Sequence, residues 1–204
     1  MSIRERLVSQ FRQPRGLLGG LAGVVMASRS SNVARNQWTV DLLDIQPEDR
    51  VLEIGFGPGL AIQAAALRVT EGLVTGIDHS EVMLQQASTR NAAAIAAGQV
   101  QLLLGSLANL PPYEMPYNKI FSANVVQFWN DPVEEFRKLR SMLVPGGLLA
   151  STYMPRNKNA SNANGRAKAE EIEQQLRQAG FKSVEIKELD MQPLKAYSVV
   201  AVNE

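Results

Sequence analysis

Three glycines in one short turn are the feature of this sequence with the clearest chemical meaning. Gly55, Gly57 and Gly59 follow the apolar run Val51–Ile54, and their spacing lets the backbone turn sharply and approach a ligand without side-chain collision. Asp78 ends a second apolar run 19 residues beyond Gly59. A carboxylate there can accept both hydroxyl hydrogens of a ribose. The pattern predicts a site for an adenosine-type ligand; the alternative is an ordinary turn, with Asp78 as a cap or surface charge.

The spacing of the turn separates two classes of adenosine ligand. Dinucleotide sites carry G-x-G-x-x-G and aim a helix N-terminus at the pyrophosphate. Here the spacing is G-x-G-x-G, and Leu60 occupies the place of the third glycine. Glu53 would also put a negative charge close to a pyrophosphate, whereas S-adenosylmethionine (SAM) carries an ammonium and a sulfonium and no phosphate. The turn therefore favours SAM over NAD and leaves a nicotinamide-dependent oxidoreductase as an alternative.

These motifs resemble those of the class I SAM-dependent methyltransferases of small-molecule type. VLEIGFGPG, GIDHSEVML, GSLANLP, NKIFSANVVQFW and LVPGG follow in the family's order over roughly residues 36–154. The resemblance implies an enzyme that transfers the sulfonium methyl of SAM to a small-molecule or lipid-like acceptor by in-line displacement, with S-adenosylhomocysteine as product. The alternative is a non-catalytic SAM-binding module that acts through a partner.

The resemblance also implies a set of cofactor contacts. The glycine turn would wrap the methionine part of SAM with Glu53 near its ammonium, and Asp78 would hold the ribose. Ser106 stands where the family often has an aspartate, so the Leu107 backbone is expected to read the adenine instead. The expected cofactor-binding residues are Asn36, Glu53, Gly55, Phe56, Gly57, Gly59, Asp78, His79, Met83, Gly105, Ser106, Leu107 and Asn124.

The sequence says less about the site of the methyl acceptor than about the cofactor site. Gln127 and Phe128 replace a Glu-His pair that many small-molecule members carry, so no histidine base is available there. Phe128 and Trp129, after the fourth strand, could line an acceptor pocket or cover the core, and Tyr153 after the fifth strand is similar. With no evident base or metal cluster, and no catalytic residue identified, we expect catalysis by proximity and desolvation. The acceptor-pocket candidates are Gln127, Phe128, Trp129 and Tyr153.

The elements that must position these residues alternate between short apolar runs and helical stretches. This alternation predicts a doubly wound α/β fold with a mostly parallel sheet and helices on both faces. The last two runs have no helix between them and should form an antiparallel hairpin; the family resemblance implies seven strands with the last one antiparallel. Ser80 and Asp131 are predicted to cap the helices that follow the second and fourth strands, and Gly98 stands where the first of these helices should end in a left-handed residue. Arg156–Gly165 is read as a polar loop before a helix over Ala167–Ala179. The predicted strands are Val51–Ile54, Leu73–Ile77, Val100–Leu104, Ile120–Val126, Leu148–Tyr153, Lys182–Leu189 and Ala196–Val202.

Composition narrows the other possibilities. The chain has 204 residues, no cysteine and one histidine, which excludes disulfides, thiolate chemistry and multi-histidine metal sites and suits a cytoplasmic protein. We expect one domain over residues 1–204, with a helical cap or lid over 1–45 and the Rossmann-like core over 46–204. No metal is expected. Nucleic acid is an unlikely partner, because no basic groove is evident, and oligomeric state is left open.

The N-terminal segment has a charge pattern of its own. Residues 1–35 contain six arginines, from Arg4 to Arg35, against Glu5 alone. Its apolar run Gly16–Ala27 falls short of the roughly 20 residues that span a bilayer. We interpret the segment as a lid that docks on the acidic body of the protein. Weak contact with an anionic membrane surface is the alternative.

Overall fold

Seven strands form one twisted sheet. The computed structural model describes residues 30–110, 115–156 and 160–204. Within them the strand order is β3-β2-β1-β4-β5-β7-β6, with β1 to β5 mutually parallel and β7 antiparallel to both neighbours. The predicted fold class and terminal hairpin are therefore confirmed. The strands are β1 Arg50–Ile54, β2 Leu73–Asp78, β3 Val100–Leu104, β4 Tyr117–Ala123, β5 Leu143–Tyr153, β6 Ser183–Leu189 and β7 Ala196–Val202.

Six α-helices of the described residues surround this sheet. Two of them begin with the capping residues that the sequence indicates: Ser80 Oγ accepts from the Met83 N–H, and Asp131 Oδ1 accepts from the Glu134 N–H. Short 3₁₀ turns at Leu107–Asn109 and Val126–Phe128 follow β3 and β4. The helices are α1 Ser30–Asp41, α2 Leu60–Ala66, α3 Glu81–Arg90, α4 Ala92–Ala96, α5 Pro132–Ser141 and α6 Asn162–Gln178.

The two faces of the sheet carry separate hydrophobic cores. Successive residues of a strand point to opposite faces, so Leu52 of β1 packs in the core under α5 and α6, whereas Val51 packs in the core under α1, α2 and α3. By the same alternation Glu53 points to the second face, beneath α1. A carboxylate is thus directed into an otherwise apolar layer, next to the glycine turn.

Strand β7 lies inside the sheet, between β5 and β6. It pairs with β5 from Leu148↔Val202 to Tyr153↔Tyr197. Beyond it, Asn203 Nδ2 donates to the carbonyl oxygens of Leu143 and Val144, at 3.0 and 3.2 Å. The end of the chain therefore satisfies backbone groups at the start of β5 as well as pairing with the strand itself.

Helix α6 begins earlier than predicted. It starts at Asn162, within the stretch interpreted as a loop, because Ser161 Oγ accepts from the Asn164 N–H and caps the first turn. Gly165 then permits close packing, since a Cβ on this residue would lie 2.6 Å from Tyr197 Cε2. The loop interpretation was wrong over the residues from Ser161 onward, because a contact with β7 is not visible in local composition.

Three further elements differ from the predictions. Strand β5 begins at Leu143 rather than at Leu148. Strand β4 runs over Tyr117–Ala123 rather than Ile120–Val126, since it ends where Asn124 adopts φ 59°. Residues 81–96, which the sequence pattern presents as one helix ending near Gly98, are broken at Asn91. Gly98 itself has the expected left-handed φ of 75°. The predictions for residues 1–29 lie outside the described residues.

Candidate functional site

The turn after β1 carries its three glycines in the left-handed region, with φ of 73° at Gly55, 52° at Gly57 and 79° at Gly59. Packing fixes two of them. A Cβ on Gly55 would lie 2.5 Å from Val125 Cγ2, and one on Gly59 would lie 2.8 Å from Ala87 Cβ. A Cβ on Gly57 would meet nothing within 4 Å in the part of the chain that the structure describes. The turn therefore opens at Gly57, beside the strand where the strand order reverses and where α/β sheets bind ligands.

Asp78, the last residue of β2, is tied to this turn. Its Oδ2 accepts from the Gly57 N–H at 2.8 Å and its Oδ1 from the Ser80 N–H at 2.9 Å. Burial raises the pKa of Asp78, and these two N–H groups act in the opposite direction. The backbone N–H of His79 acts on the same carboxylate. A carboxylate has about four acceptor positions, so at least one remains for a hydroxyl of a ligand. The half-exposed His79 lies alongside, with its Nδ1 3.8 Å from Asp78 Oδ1.

Glu53 and Arg35 form a buried pair of ionisable side chains beside the turn. Glu53 is 2% exposed and Arg35 4%. Burial, reinforced by Asp78, raises the pKa of Glu53 to about 8, and burial, reinforced by Arg156, lowers the pKa of Arg35 to about 9. The charge of Arg35 partly offsets the rise in the pKa of Glu53, and the charge of Glu53 partly offsets the fall in the pKa of Arg35. Within the described residues, Glu53 Oε2 and Arg35 Nε and Nη1 have no hydrogen-bond partner. Buried polar atoms normally have one, so these three atoms are available to a polar ligand or to water.

Arg35 is the main site residue that sequence reasoning missed. Counting charges assigned it to the basic N-terminal arm, but it lies on the inner face of α1. Asn32 and Asn36 share that face, with Asn36 Nδ2 donating to Asn32 O at 2.9 Å. Thr39 does too, with its hydroxyl oxygen 2.8 Å from that of Thr152 on β5. Polar residues at helical spacing, facing a sheet that contains Glu53, were the available signal.

Asn124 joins the ends of β4 and β5. It combines a left-handed φ of 59° with two side-chain bonds to Met154: Oδ1 accepts from its N–H and Nδ2 donates to its C=O, both at 2.9 Å. Its own carbonyl accepts from Gln127 Nε2 at 2.7 Å. Asn124 therefore holds the two strand ends together at the expected cofactor edge.

The four acceptor-pocket candidates have different surroundings. Phe128 is 43% exposed and Gln127 is exposed as well. Trp129 packs edge-on against Phe136 of α5, with ring centroids 5.1 Å apart, so its indole covers the core. Tyr153 is half-buried at the end of β5, and burial together with Glu171 raises its pKa. Phe128 is the aromatic side chain of this group that is most open to a ligand.

The remaining expected cofactor residues divide by exposure. The side chains of Phe56 and Met83 are 3% and 2% exposed and belong to the core beneath α1 to α3. Gly105 donates its N–H to the carbonyl of Asp78 at 2.8 Å, which brings the β3 loop to the end of β2. Ser106 is exposed there, and Leu107 opens the following 3₁₀ turn. Among these five, Ser106 is the residue whose side chain is exposed.

Comparisons with known proteins bear on this arrangement. Residues 51–147 match the model of a methyltransferase domain. Over 173 residues the chain is 32% identical to the uncharacterized methyltransferase YdaC of Bacillus subtilis, spanning 85% of this chain and 92% of that protein. The chain belongs to the class I SAM-dependent methyltransferases.

One more comparison concerns the fold of this methyltransferase, and another concerns a relative that carries the name of a specific activity. A SAM-dependent methyltransferase from Aquifex aeolicus shares its fold, with a TM-score of 0.70 and 17% identity over 87% of this chain and 95% of that chain. The trans-aconitate 2-methyltransferase of Variovorax paradoxus is 31% identical over 109 residues, which is 53% of this chain and 39% of that protein. The matched region thus covers less than half the length of the Variovorax paradoxus protein.

The described part of the methyltransferase lacks two kinds of feature. No helix in this part is long and apolar enough to cross a membrane. No group of three or more acidic or histidine side chains within it is arranged to hold a metal ion.

Proposed function

We propose that this methyltransferase binds SAM across the carboxyl ends of β1 and β4 and methylates a small-molecule acceptor. The observation that carries the proposed site is the set of unpartnered buried atoms beside the open turn, on Glu53 and Arg35. An amino-acid ligand has one ammonium and one carboxylate, which are the groups that a carboxylate and a guanidinium recognise. Asp78, with acceptor capacity left, fits a ribose. The donor set thus matches both ends of SAM.

The residues of the site act by binding and orientation. Gly57 exposes its backbone to the ligand, and Asp78 holds both the turn and the ribose. SAM supplies, when bound, a methyl group on an electrophilic sulfonium. Asn124 fixes the ends of β4 and β5, where the acceptor must enter, and Phe128 offers an apolar surface at that point. Positioning two reactants in line accounts for a large part of such a rate enhancement.

The acceptor is a small molecule in this proposal. Its support is the relative that carries the name trans-aconitate 2-methyltransferase and the open position of Phe128 next to Gln127. Helix α1 is held to this edge of the sheet, because Asn32, in its first turn, accepts a hydrogen bond at 2.8 Å from Arg156, which follows β5.

Transfer of a labelled methyl group tests the function. The purified protein is incubated with methyl-labelled SAM and separate pools of small carboxylic acids (trans-aconitate included), phenols and quinols, and membrane lipids. We expect label in at least one small-molecule pool, and loss of that transfer in Asp78→Ala. Label found only in the lipid pool would indicate the lipid-like acceptor instead. Label found only in added protein or nucleic acid would contradict the proposal.

The buried Glu53 carboxyl predicts a pH dependence of stability. Its pKa in the folded protein is about 8, above the ordinary 4.5. Between these values the folded protein keeps a proton that the unfolded chain has released. Its contribution to stability is therefore complete below pH 4.5 and is lost as the pH rises through 8, by up to about 1.4 kcal/mol per pH unit.

Glu53→Gln is the matched control for this effect, because an amide of the same shape does not titrate. Urea unfolding of both proteins between pH 5 and pH 8.5, both without cofactor, measures the difference. We expect the free energy of unfolding of the natural protein to fall relative to Glu53→Gln as the pH rises. Parallel pH profiles of the two proteins would show that Glu53 is already ionised when it is buried.

A further inference from the structure

The break between α3 and α4 falls within a sequence that otherwise favours helix. Residues 81–97 contain neither glycine nor proline and are rich in alanine, so helix propensity favours one continuous helix. The chain nevertheless leaves the helix at Asn91, with φ −105° and ψ 19°. A contact outside the helix coincides with the break.

That contact is with the glycine turn. Arg90 Nε donates to the carbonyl of Pro58 at 2.9 Å. Asn91 is 4% exposed, and its Nδ2 donates to the carbonyls of Gly59 at 3.2 Å and Ala87 at 2.9 Å. Asparagine at the start of a helix ordinarily caps the following turn, but the Asn91 side chain makes no capping bond to α4. Its amide is used for the glycine turn instead.

Three consecutive residues of the turn are thus each held by a side chain from the next unit of the fold. Asp78 accepts from the N–H of Gly57, Arg90 donates to the C=O of Pro58 and Asn91 donates to the C=O of Gly59. We propose that Arg90 and Asn91 are positioning residues that keep the turn in its cofactor-binding conformation before the cofactor arrives. This inference rests on the proposed function, because it assumes that SAM binds at this turn.

The need for such restraint follows from the glycines. Glycine loses more backbone freedom on ordering than any other residue, so an unrestrained turn would have to be ordered by the ligand at the expense of affinity. Side chains that order the turn in advance remove that part of the binding penalty. A residue of this kind changes the affinity for the cofactor and leaves the rate at saturation unchanged.

Three variants at Asn91 distinguish positioning from a structural role. Asn91→Ala removes the donor while favouring the helix, and we expect affinity for S-adenosylhomocysteine to fall about tenfold. Asn91→Asp keeps the shape but turns a carboxylate oxygen toward the carbonyls of Gly59 and Ala87, so the loss should be larger than in Asn91→Ala. An aspartate caps helices as well as an asparagine does. A purely structural cap would therefore leave Asn91→Asp unaffected.

Two substitutions of Arg90 test the same role in two steps, and a substitution of Thr89 is the control. Arg90→Ala should weaken binding severalfold, and Arg90→Lys, which retains a donor, should restore part of it. Thr89→Ala lies on the same helix, away from the turn, and should bind as the natural protein does. Affinity is measured by calorimetry, and hydrogen exchange of residues 57–60 without cofactor reports the order of the turn. We expect faster exchange in Asn91→Ala and Asn91→Asp.

The outcomes separate the two proposals. If the natural protein binds no S-adenosylhomocysteine, the proposed cofactor site is wrong. If it binds, but Asn91→Ala and Asn91→Asp bind equally well and exchange at the natural rate in the turn, the positioning role is wrong. A fall in affinity without faster exchange, in variants that melt at the natural temperature, would likewise overturn preordering of the turn.

Discussion

Asp78→Ala should weaken SAM binding by about 100-fold or more. A hydrogen bond to a charged group contributes about 1.5–3 kcal/mol, and the carboxylate keeps acceptor capacity for the ribose. The substitution also removes the acceptor for the Gly57 N–H, which lies 2.8 Å from Asp78 Oδ2. Both effects lower the affinity for the cofactor. Titration calorimetry with S-adenosylhomocysteine measures the change directly.

Two controls accompany this measurement. Asp190→Ala removes an exposed aspartate that pairs with Lys195, far along the chain from the turn, and should bind the cofactor normally. Asp78→Asn keeps one acceptor oxygen without the charge and should fall between the natural protein and Asp78→Ala. Normal affinity in Asp78→Ala would show that the adenosine part of SAM binds elsewhere.

Gly57→Ala and Gly59→Ala should fail in different ways. A Cβ on Gly57 has no neighbour within 4 Å among the described residues, so the added methyl enters the space assigned to the ligand. We expect cofactor affinity to fall by about 10- to 100-fold, from about 1–3 kcal/mol of overlap. The free energy of unfolding should fall only by the cost of a left-handed alanine, about 1–2 kcal/mol.

Gly59→Ala should instead destabilise the fold. Its Cβ would lie 2.7 Å from Asn91 Nδ2 and 2.9 Å from Ala87 Cα, so helix α3 must shift. Overpacking of this kind adds about 1–3 kcal/mol to the backbone strain. Thermal unfolding and calorimetry on both variants separate the two effects. Equal losses of stability with unchanged binding in Gly57→Ala would contradict the assignment of the open space to the ligand.

The sequence predicted the parts of the site that depend on local pattern. The strands that flank the turn are short apolar runs, and the caps at Ser80 and Asp131 are formed by side chains next to the helices that they begin. Gly55, Gly57 and Gly59 adopt the left-handed conformations that their spacing indicates. Local periodicity and turn chemistry are sufficient for such features.

Features that depend on distant contacts were not predictable in this way. Arg35 faces Glu53 only because α1 packs over β1, and its charge alone assigned it to the basic arm. Asn91 interrupts a good helical sequence because Gly59 lies beside it in space. The same holds for Gly165, because its lack of a side chain matters only through the close contact of α6 with Tyr197 of β7. Tertiary packing overrides local propensity at each of these positions.

The position of β7 bears on the order in which this chain can fold. Strand β7 comes last in sequence but lies between β5 and β6. During synthesis β5 therefore keeps one edge unpaired until β7 has left the ribosome, and an unpaired edge can join other chains. Strands β1 to β4, which carry the glycine turn and Asp78, can pair before that moment. The part of the sheet that contains Tyr153 is completed only after β7 has been synthesised.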